Sequence, residues 1–321
     1  NTNFSQGNNA YTSVLGGGTW TTPSDGTLQT AYGYFQNADL ADISLLMMAD
    51  ADATTTEWVL SNITSVRRDH VLFVSPPGAT GTGVVNAPGY EATNAITYRN
   101  NFGSSSYVIM DSSWKKVYDK YNNVYRWVPL NGDIAGLCAQ TDYTNASWWS
   151  PAGLNRGLIK NVIQLSWNPI QADRDNLYKN SINPVVNFAG VGPVLYGDKT
   201  LTSKPSAFDR INVRRLFIEL EQSISRAAKY SLFEFNDEFT RAAFVALVDP
   251  FLRNIKGQRG IYDYQIVCDT TNNTPAVIDQ NQFVGDIYIK PARAINFIQL
   301  NFIAVGTGVA FSEVVGQTGA A

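Results

Sequence analysis

Residues 43–75 read ISLLMMADADATTTEWVLSNITSVRRDHVLFVS, and this stretch sets the fold class. Ile43–Ala49 is a short continuous apolar run, the pattern of a strand buried on both faces. Thr54–Arg68 follows with Trp58, Ile63 and Val66 near helical spacing, and its threonine run offers an N-cap. His70–Ser75 is a second buried strand, stopped by Pro76-Pro77. Strand, helix and strand in this order form a β-α-β unit, which requires a parallel sheet.

Working outward, the pattern predicts a further helix over Gly89–Asn101 and a third strand over Ser106–Asp111, so this part of the chain is layered α/β. A short helix or turn is expected over Asp133–Gln140 and a helix over Ile170–Lys179. Residues 184–205 are rich in proline, glycine and asparagine, which places a boundary near 180–190. Beyond it the rhythm changes to α+β. Ser206 or Asp209 is expected to cap a long helix running through Lys229, with Val213, Leu216, Phe217, Leu220, Ile224 and Ala228 as its apolar stripe. Asn236 is expected to cap a second helix, with Phe239, Ala243, Leu247 and Phe251 along one side, Pro250 as a kink or end, and Gly257 or Gly260 as the stop. Three strands follow, over Ile261–Cys268, Gln282–Lys290 and Ala294–Val305. The expected organisation is a loop-rich lead-in over 1–37, an α/β domain over 38–185 and a carboxyl-terminal α+β domain over 186–321. The chain opens on Asn1 in a Gly-, Asn- and Thr-rich stretch, and it reads as the carboxyl-terminal part of something longer.

The composition narrows the function. The 321 residues are 44% hydrophobic and 16% charged, the latter low against the usual ~25%. Asn, Thr, Ser, Gly and Tyr stand in place of charge, a surface suited to protein contact. A net charge of −3 provides no basic footprint for nucleic acid. No apolar run reaches the ~18 residues of a membrane helix. Cys138 and Cys268 lie far apart and outside any CxxC pair, so they read as buried free thiols.

Catalytic constellations are missing. His70, the one histidine, has no GxSxG elbow to serve and reads as structural. Gly16-Gly17-Gly18 and Gly81-Thr82-Gly83 lack the Gly-Lys-Ser/Thr of a phosphate loop and read as turns. Asp50 and Asp52 follow the first strand at the sheet edge where α/β enzymes place active sites. They are candidate Mg²⁺ ligands, with a helix-capping turn as the commoner explanation of such acids. Arg214-Arg215 is too short for a nucleic-acid patch and reads as a charged helix face. No cofactor or metal is expected.

A series of short motifs then recurs in a fixed order. It runs YDKYNNVYRWVPLNGDIAGLCAQTD at 118–142, WSPAGLNRGLIK at 149–160, INPV at 182–185, LYGDKTL at 195–201, FDRINVRRLF at 208–217, CDTTNNTPAVID at 268–279 and YIKPARAINFIQLNF at 288–302. The series, collinear over about residues 40–315, resembles the contractile tail sheath proteins of T-even-like myoviruses. Its INP, G-x-K/R-T and NVRRL elements also resemble sheaths of R-type bacteriocins and type VI secretion. The first 37 residues match poorly. The resemblance implies a structural subunit, not an enzyme. Such subunits stack as six-fold rings into a helical cylinder around a tail tube, and the cylinder contracts to drive the tube through the host envelope. The implied partners are other sheath subunits, the tail tube protein, and baseplate and tail terminator proteins, with no nucleic acid and no membrane. The implied location is the virion tail, assembled in the host cytoplasm.

The resemblance also implies site residues. Sheath subunits exchange extended terminal arms by strand addition. Gly306–Val315 is the expected arm, docking through Val309, Phe311, Val314 and Val315. The expected acceptor is the carboxyl-terminal sheet, with Ile261, Tyr262, Tyr264, Ile266, Phe297 and Leu300. Arg210, Arg214, Arg215 and Arg226 are the expected tube-facing charges. The rival readings are a sheath of another injection machine and an α/β enzyme centred on Asp50 and Asp52.

Overall fold

The computed structural model describes residues 23–79 and 81–296. At its centre lie three parallel strands, β1 (Leu45–Met47), β2 (Val71–Val74) and β3 (Val108–Met110), in the order β1-β2-β3. Each is shorter than the apolar run that announced it. Side chains alternate across the pleat. Leu46, Met48, Leu72, Val74, Val108 and Met110 enter one apolar cluster, and Val71, Phe73 and Ile109 enter another. Both faces are therefore covered, which is why the strand sequences are continuously apolar rather than alternating. Leu72 and Phe73 are fully buried. Burial of such side chains stabilises by about 1.5–3 kcal/mol each.

The crossover from β1 to β2 is α2 (Ala53–Val59), a π-helical turn over Leu60–Thr64, and α3 (Ser65–Arg67). Its cap is Asp52 and not the threonine run: the Asp52 carboxylate accepts from Thr55 N at 2.8 Å. Val59 and Ile63 pack into the first cluster, together with Ala95 and Tyr98 of α4 (Glu91–Arg99). The lead-in is not loop throughout. Residues from Asp25 to Gly33 form α1, capped by Ser24, and Tyr32 Oη donates to Met47 O at 3.0 Å. The helix thus lies beside the outer edge of β1.

After β3 come β4 (Trp114–Asp119) and β5 (Val124–Pro129), an antiparallel hairpin whose β4 also pairs with β6 (Gln164–Leu165). Between them runs α5 (Asn131–Thr144), longer than expected, with Ile134, Leu137 and Cys138 against the second sheet face. Helix α6 (Gln171–Lys179) starts where the sequence placed it. A second hairpin, β7 (Val185–Phe188) and β8 (Gly192–Leu195), was not foreseen, and the division expected after residue 185 falls inside β7. The chain here belongs to the central sheet: Asn183 N donates to Met110 O at 2.9 Å and Leu201 N to Val108 O at 2.8 Å.

The last third contains α7 (Ile211–Ala228), α8 (Glu238–Gly257), β9 (Ile261–Val267), α9 (Pro275–Asp279) and β10 (Asp286–Pro291). Neither Ser206 nor Asp209 caps α7, whose cap position is Arg210 without a side-chain bond. Asp209 O instead accepts from Thr200 N at 3.0 Å. Helix α7 has two apolar faces: Ile211 and Ile218 enter the second cluster, and Leu216 and Leu220 a third with Phe244, Val248, Leu252 and Ile255 of α8. This sandwich holds the two units together.

Helix α8 is capped by Asp237, one residue after the expected Asn236. Pro250 does not end it. The carbonyl left unpaired by proline is that of Ala246, on the exposed side of the helix, where water can satisfy it. The stop is at Gln258, with Arg259 at φ 66°. Of the stripe expected on this helix only Phe251 packs against the third cluster, half-buried. Phe239 and Leu247 are exposed, and the buried side is the one carrying Phe244 and Val248.

Candidate assembly surfaces

Strands β9 and β10 pair antiparallel, with Asp286 opposite Val267 and Ile289 opposite Tyr264. Among the described residues neither strand has a second neighbour. Ile261 is buried, Tyr264 and Ile266 are half-buried, and Tyr262 is exposed. Of these four expected acceptor residues, Ile261, Tyr264 and Ile266 pack on the third cluster and Tyr262 alone is on the open side. The third strand expected over Ala294–Val305 lies mostly outside the described residues, as do Phe297, Leu300 and the arm residues Val309, Phe311, Val314 and Val315; Ala294–Asn296 are not strand.

The four arginines expected on one outward face are dispersed. Arg210 sits at the joint between the units. Its Nη1 donates to Asp198 Oδ1 at 3.1 Å and also to the Tyr178 hydroxyl, and Ile211 N donates to Asp198 O at 2.8 Å. Burial, with the Asp198 charge beside it, pushes Tyr178 up to about 12. Arg214 is only 6% exposed. Its guanidinium lies 3.9 Å from the Phe208 ring centroid and 4.2 Å from that of Tyr107, and its Nη2 donates to Ser106 Oγ at 2.7 Å. Burial lowers its pKa. Arg215 is equally buried, and its Nη2 donates to Asp142 Oδ2 at 2.5 Å. Arg226 alone is well exposed, paired with Asp42 at 2.8 Å. The reason is the sandwich: the amino-terminal half of α7 is wrapped on both sides, so its charges must find internal partners. Those partners, Asp142, Tyr178 and Asp198, carry no local signal in the sequence.

The rival enzyme centre resolves into capping and packing. Burial raises the pKa of Asp50. In Asp52 burial acts upward, but the bonds from Thr55 outweigh it and the carboxyl is held below its ordinary value. His70 is fully buried between Thr64 Oγ1, at 3.1 Å from Nε2, and Asp69 Oδ1, at 2.8 Å from Nδ1. Burial lowers its pKa against the opposing pull of Asp69. Asp69 in turn binds Arg67, whose Nη1 and Nη2 hold Phe35 O at 2.6 Å and Ala41 O at 2.9 Å. This histidine pins a loop. Gly81 has φ 87°, and a Cβ on Gly83 would lie 2.3 Å from Pro77 O, so the Gly-Thr-Gly stretch is a tight turn. Among the described residues no three His, Cys, Asp or Glu side chains converge to hold a metal.

Residues 41–201 match the central domain of the phage tail sheath protein, and residues 203–304 match the phage tail sheath C-terminal domain. The chain belongs to the phage tail sheath family. It is 51% identical to the tail sheath protein of Vibrio phage KVP40 over 82% of its own length and 41% of that protein. It is 47% identical to that of Enterobacteria phage T4 over 92% of its length and 47% of the relative. The chain thus spans less than half the length of these curated relatives, which are tail sheath proteins and not enzymes. Its fold is similar to the helical sheath of the anti-feeding prophage in the contracted state, with TM-score 0.69 and 22% identity over 89% of this chain and 76% of that one. It is also similar to the sheath complex of the extracellular contractile injection system PVC in the contracted state. That likeness has TM-score 0.71 and 20% identity over 85% and 74% of the two chains.

Two further surfaces of this sheath chain escaped the sequence reading. One is the loop from α7 to α8 with the first turn of α8, where Tyr230, Leu232, Phe233 and Phe235 of the loop and Phe239 of the helix are all exposed. Their spacing fits neither a helix face nor a strand, which is the signal that they pack on nothing local. The other is a groove of about 1280 Å³ between the central and carboxyl-terminal units, lined by Trp149, Arg156, Tyr196 and Arg259 among others.

Proposed function

We propose that the chain is the assembly-bearing part of a contractile tail sheath subunit. Subunits polymerise as six-fold rings in a helix around the tail tube, and the cylinder shortens to drive the tube through the host envelope. The observation that carries this is the β9–β10 pair, which has no further strand on either edge among the described residues, in a chain of the tail sheath family. A two-stranded sheet is marginal alone and gains from added strands. The residues at 309–315 supply an apolar segment for strand addition to a neighbour. Arms keep subunits connected while the rigid units rotate, and contraction releases a difference between two packings held apart by a barrier. No nucleotide or cofactor enters this cycle.

The partners in this reading are neighbouring sheath subunits, the tube, and the baseplate and terminator at the ends of the tail. Contacts with the tube are individually weak, about 0–1 kcal/mol for exposed charge pairs, which suits a sheath that must release it. The subunit belongs to the virion tail and assembles in the host cytoplasm. A second reading, the sheath of another contractile injection system, rests on the likeness of fold to the anti-feeding prophage. The much higher identity to phage tail sheath proteins favours the phage.

Deleting residues 307–321 from the full-length protein is expected to abolish polymerisation while leaving a folded monomer by circular dichroism. Assembled tubes from the truncated protein would overturn the arm assignment.

A further inference from the structure

The α7–α8 loop and the first turn of α8 present aromatic side chains that no described residue covers. Phe233 is fully exposed and Phe239 is 81% exposed. Phe233 has φ 69°, a backbone region that a bulky residue occupies only when something compensates. Among the described residues nothing packs on its ring. A contiguous exposed apolar surface of this kind marks an interaction site. Its charged residues are mainly acidic: Glu234 and Glu238 form no salt bridge among the described residues, Asp237 caps α8 near Arg241, and the loop's one cation is Lys229.

The groove between the units has the opposite character. Arg156, Arg174, Arg259 and Arg293 line it without a salt-bridged carboxylate among the described residues, and outnumber the acids of the lining, Asp175 and the Arg210-paired Asp198. Apolar surface is set between these charges. Trp149 has the guanidinium of Arg156 at 5.1 Å and that of Arg259 at 5.6 Å from its ring, and Tyr196 is half exposed. An acidic aromatic loop and a basic aromatic-walled groove are complementary in charge. Both belong to this chain, at different places on it.

We infer that the α7–α8 loop of one sheath subunit docks into the groove between the two units of a neighbouring copy. The contact joins two different surfaces, so it is heterologous: a copy engaged through its loop still offers its groove, and repeated contacts build a ring where the rotation closes and a helix where it does not. The inference rests on the sheath reading for its biological setting and adds a second connection beside the arms, one that side chains carry rather than main-chain bonds. Because exposed charges steer it, the contact weakens as salt rises.

Variants F233C and Y196C of the full-length protein, each adding one exposed cysteine, mixed in equal amounts and treated with a short bismaleimide, test this directly. The native Cys138 and Cys268 are buried and do not compete. The expected product is a cross-linked pair containing one copy of each variant, absent from either variant alone. The double reversal E234K/E238K is expected to weaken self-association at least tenfold, and adding R156E/R259E to the same chain is expected to restore it. Cross-linking only between two F233C copies, or association indifferent to both reversals, overturns the inference. Regular cylinders without the 233–196 cross-link overturn it while leaving the sheath reading intact. The cross-link without cylinders supports the contact and counts against the sheath reading.

Discussion

Arg215 donates to Asp142 at 2.5 Å across the junction between the two units, from the middle of α7 to the carboxyl-terminal end of α5. The two partners are not equivalent. The Arg215 side chain is 6% exposed and its other terminal nitrogen has no partner, whereas Asp142 is 39% exposed. Removing the acid leaves a buried cation unpaired; removing the cation leaves an acid that water can solvate. Asp142→Ala is therefore expected to cost about 2–4 kcal/mol, and Arg215→Met less than about 1.5 kcal/mol. Urea midpoints of the two variants decide the order, and the reverse order would contradict the account of the junction.

Asp111 is the next test. It ends β3, is fully buried, and accepts from Ser75 Oγ at 2.6 Å and Ser113 N at 3.1 Å. Burial, reinforced by the charge of Asp133, pushes its pKa up to about 7 despite those bonds. The folded state thus holds this proton more tightly than the unfolded chain, whose carboxyl titrates near the ordinary value. The stability it contributes is full below about pH 4 and is lost as pH rises through about 7. Asp111→Asn is expected to flatten the decline in unfolding free energy between pH 5 and pH 8. An unchanged slope would assign the decline to other groups.

Asp52 carries the opposite sign. Its carboxyl is held below the ordinary value, chiefly by Thr55 working against burial. Its stabilisation of α2 is present above about pH 4 and is lost as pH falls through the lowered value. Asp52→Ala is expected to cost about 1 kcal/mol at neutral pH and almost nothing in acid. Equal losses at both pH values would remove the capping role.

Gly83 is packed against backbone rather than flexible side chains, with Pro77 O and Ala79 O both within 2.4 Å of where a Cβ would stand. Gly83→Ala is expected to destabilise by about 1–3 kcal/mol, whereas Gly81→Ala acts only through the φ of 87° and costs about 1 kcal/mol. Thermal melts of the pair separate crowding from conformation.

Much of this molecule was legible from local pattern. The β1-helix-β2 unit, α4, α6 and the two long helices of the last third follow from apolar runs, although the caps of α2, α7 and α8 are not the expected residues. The hairpins were harder. In β4–β5 the turn is held by Asp119, which accepts from Tyr121 N and Asn122 N, with Asn123 at φ 54°. The Asn-Asn pair was a usable signal there. The β7–β8 hairpin sits in a stretch whose prolines and glycines imitate a linker. Helix α8 misled for another reason: it is apolar on two sides, and periodicity alone cannot say which side meets the core. The arginines of α7 were misplaced because their partners, Asp142 and Asp198, are brought close only by the fold.

The central claim is assembly into a contractile sheath, and negative-stain electron microscopy of the purified full-length protein at high concentration tests it most directly. Striated cylinders of uniform width, formed with no nucleotide added, are the predicted result. Dispersed monomers under every salt condition, with tail tubes supplied, would contradict it.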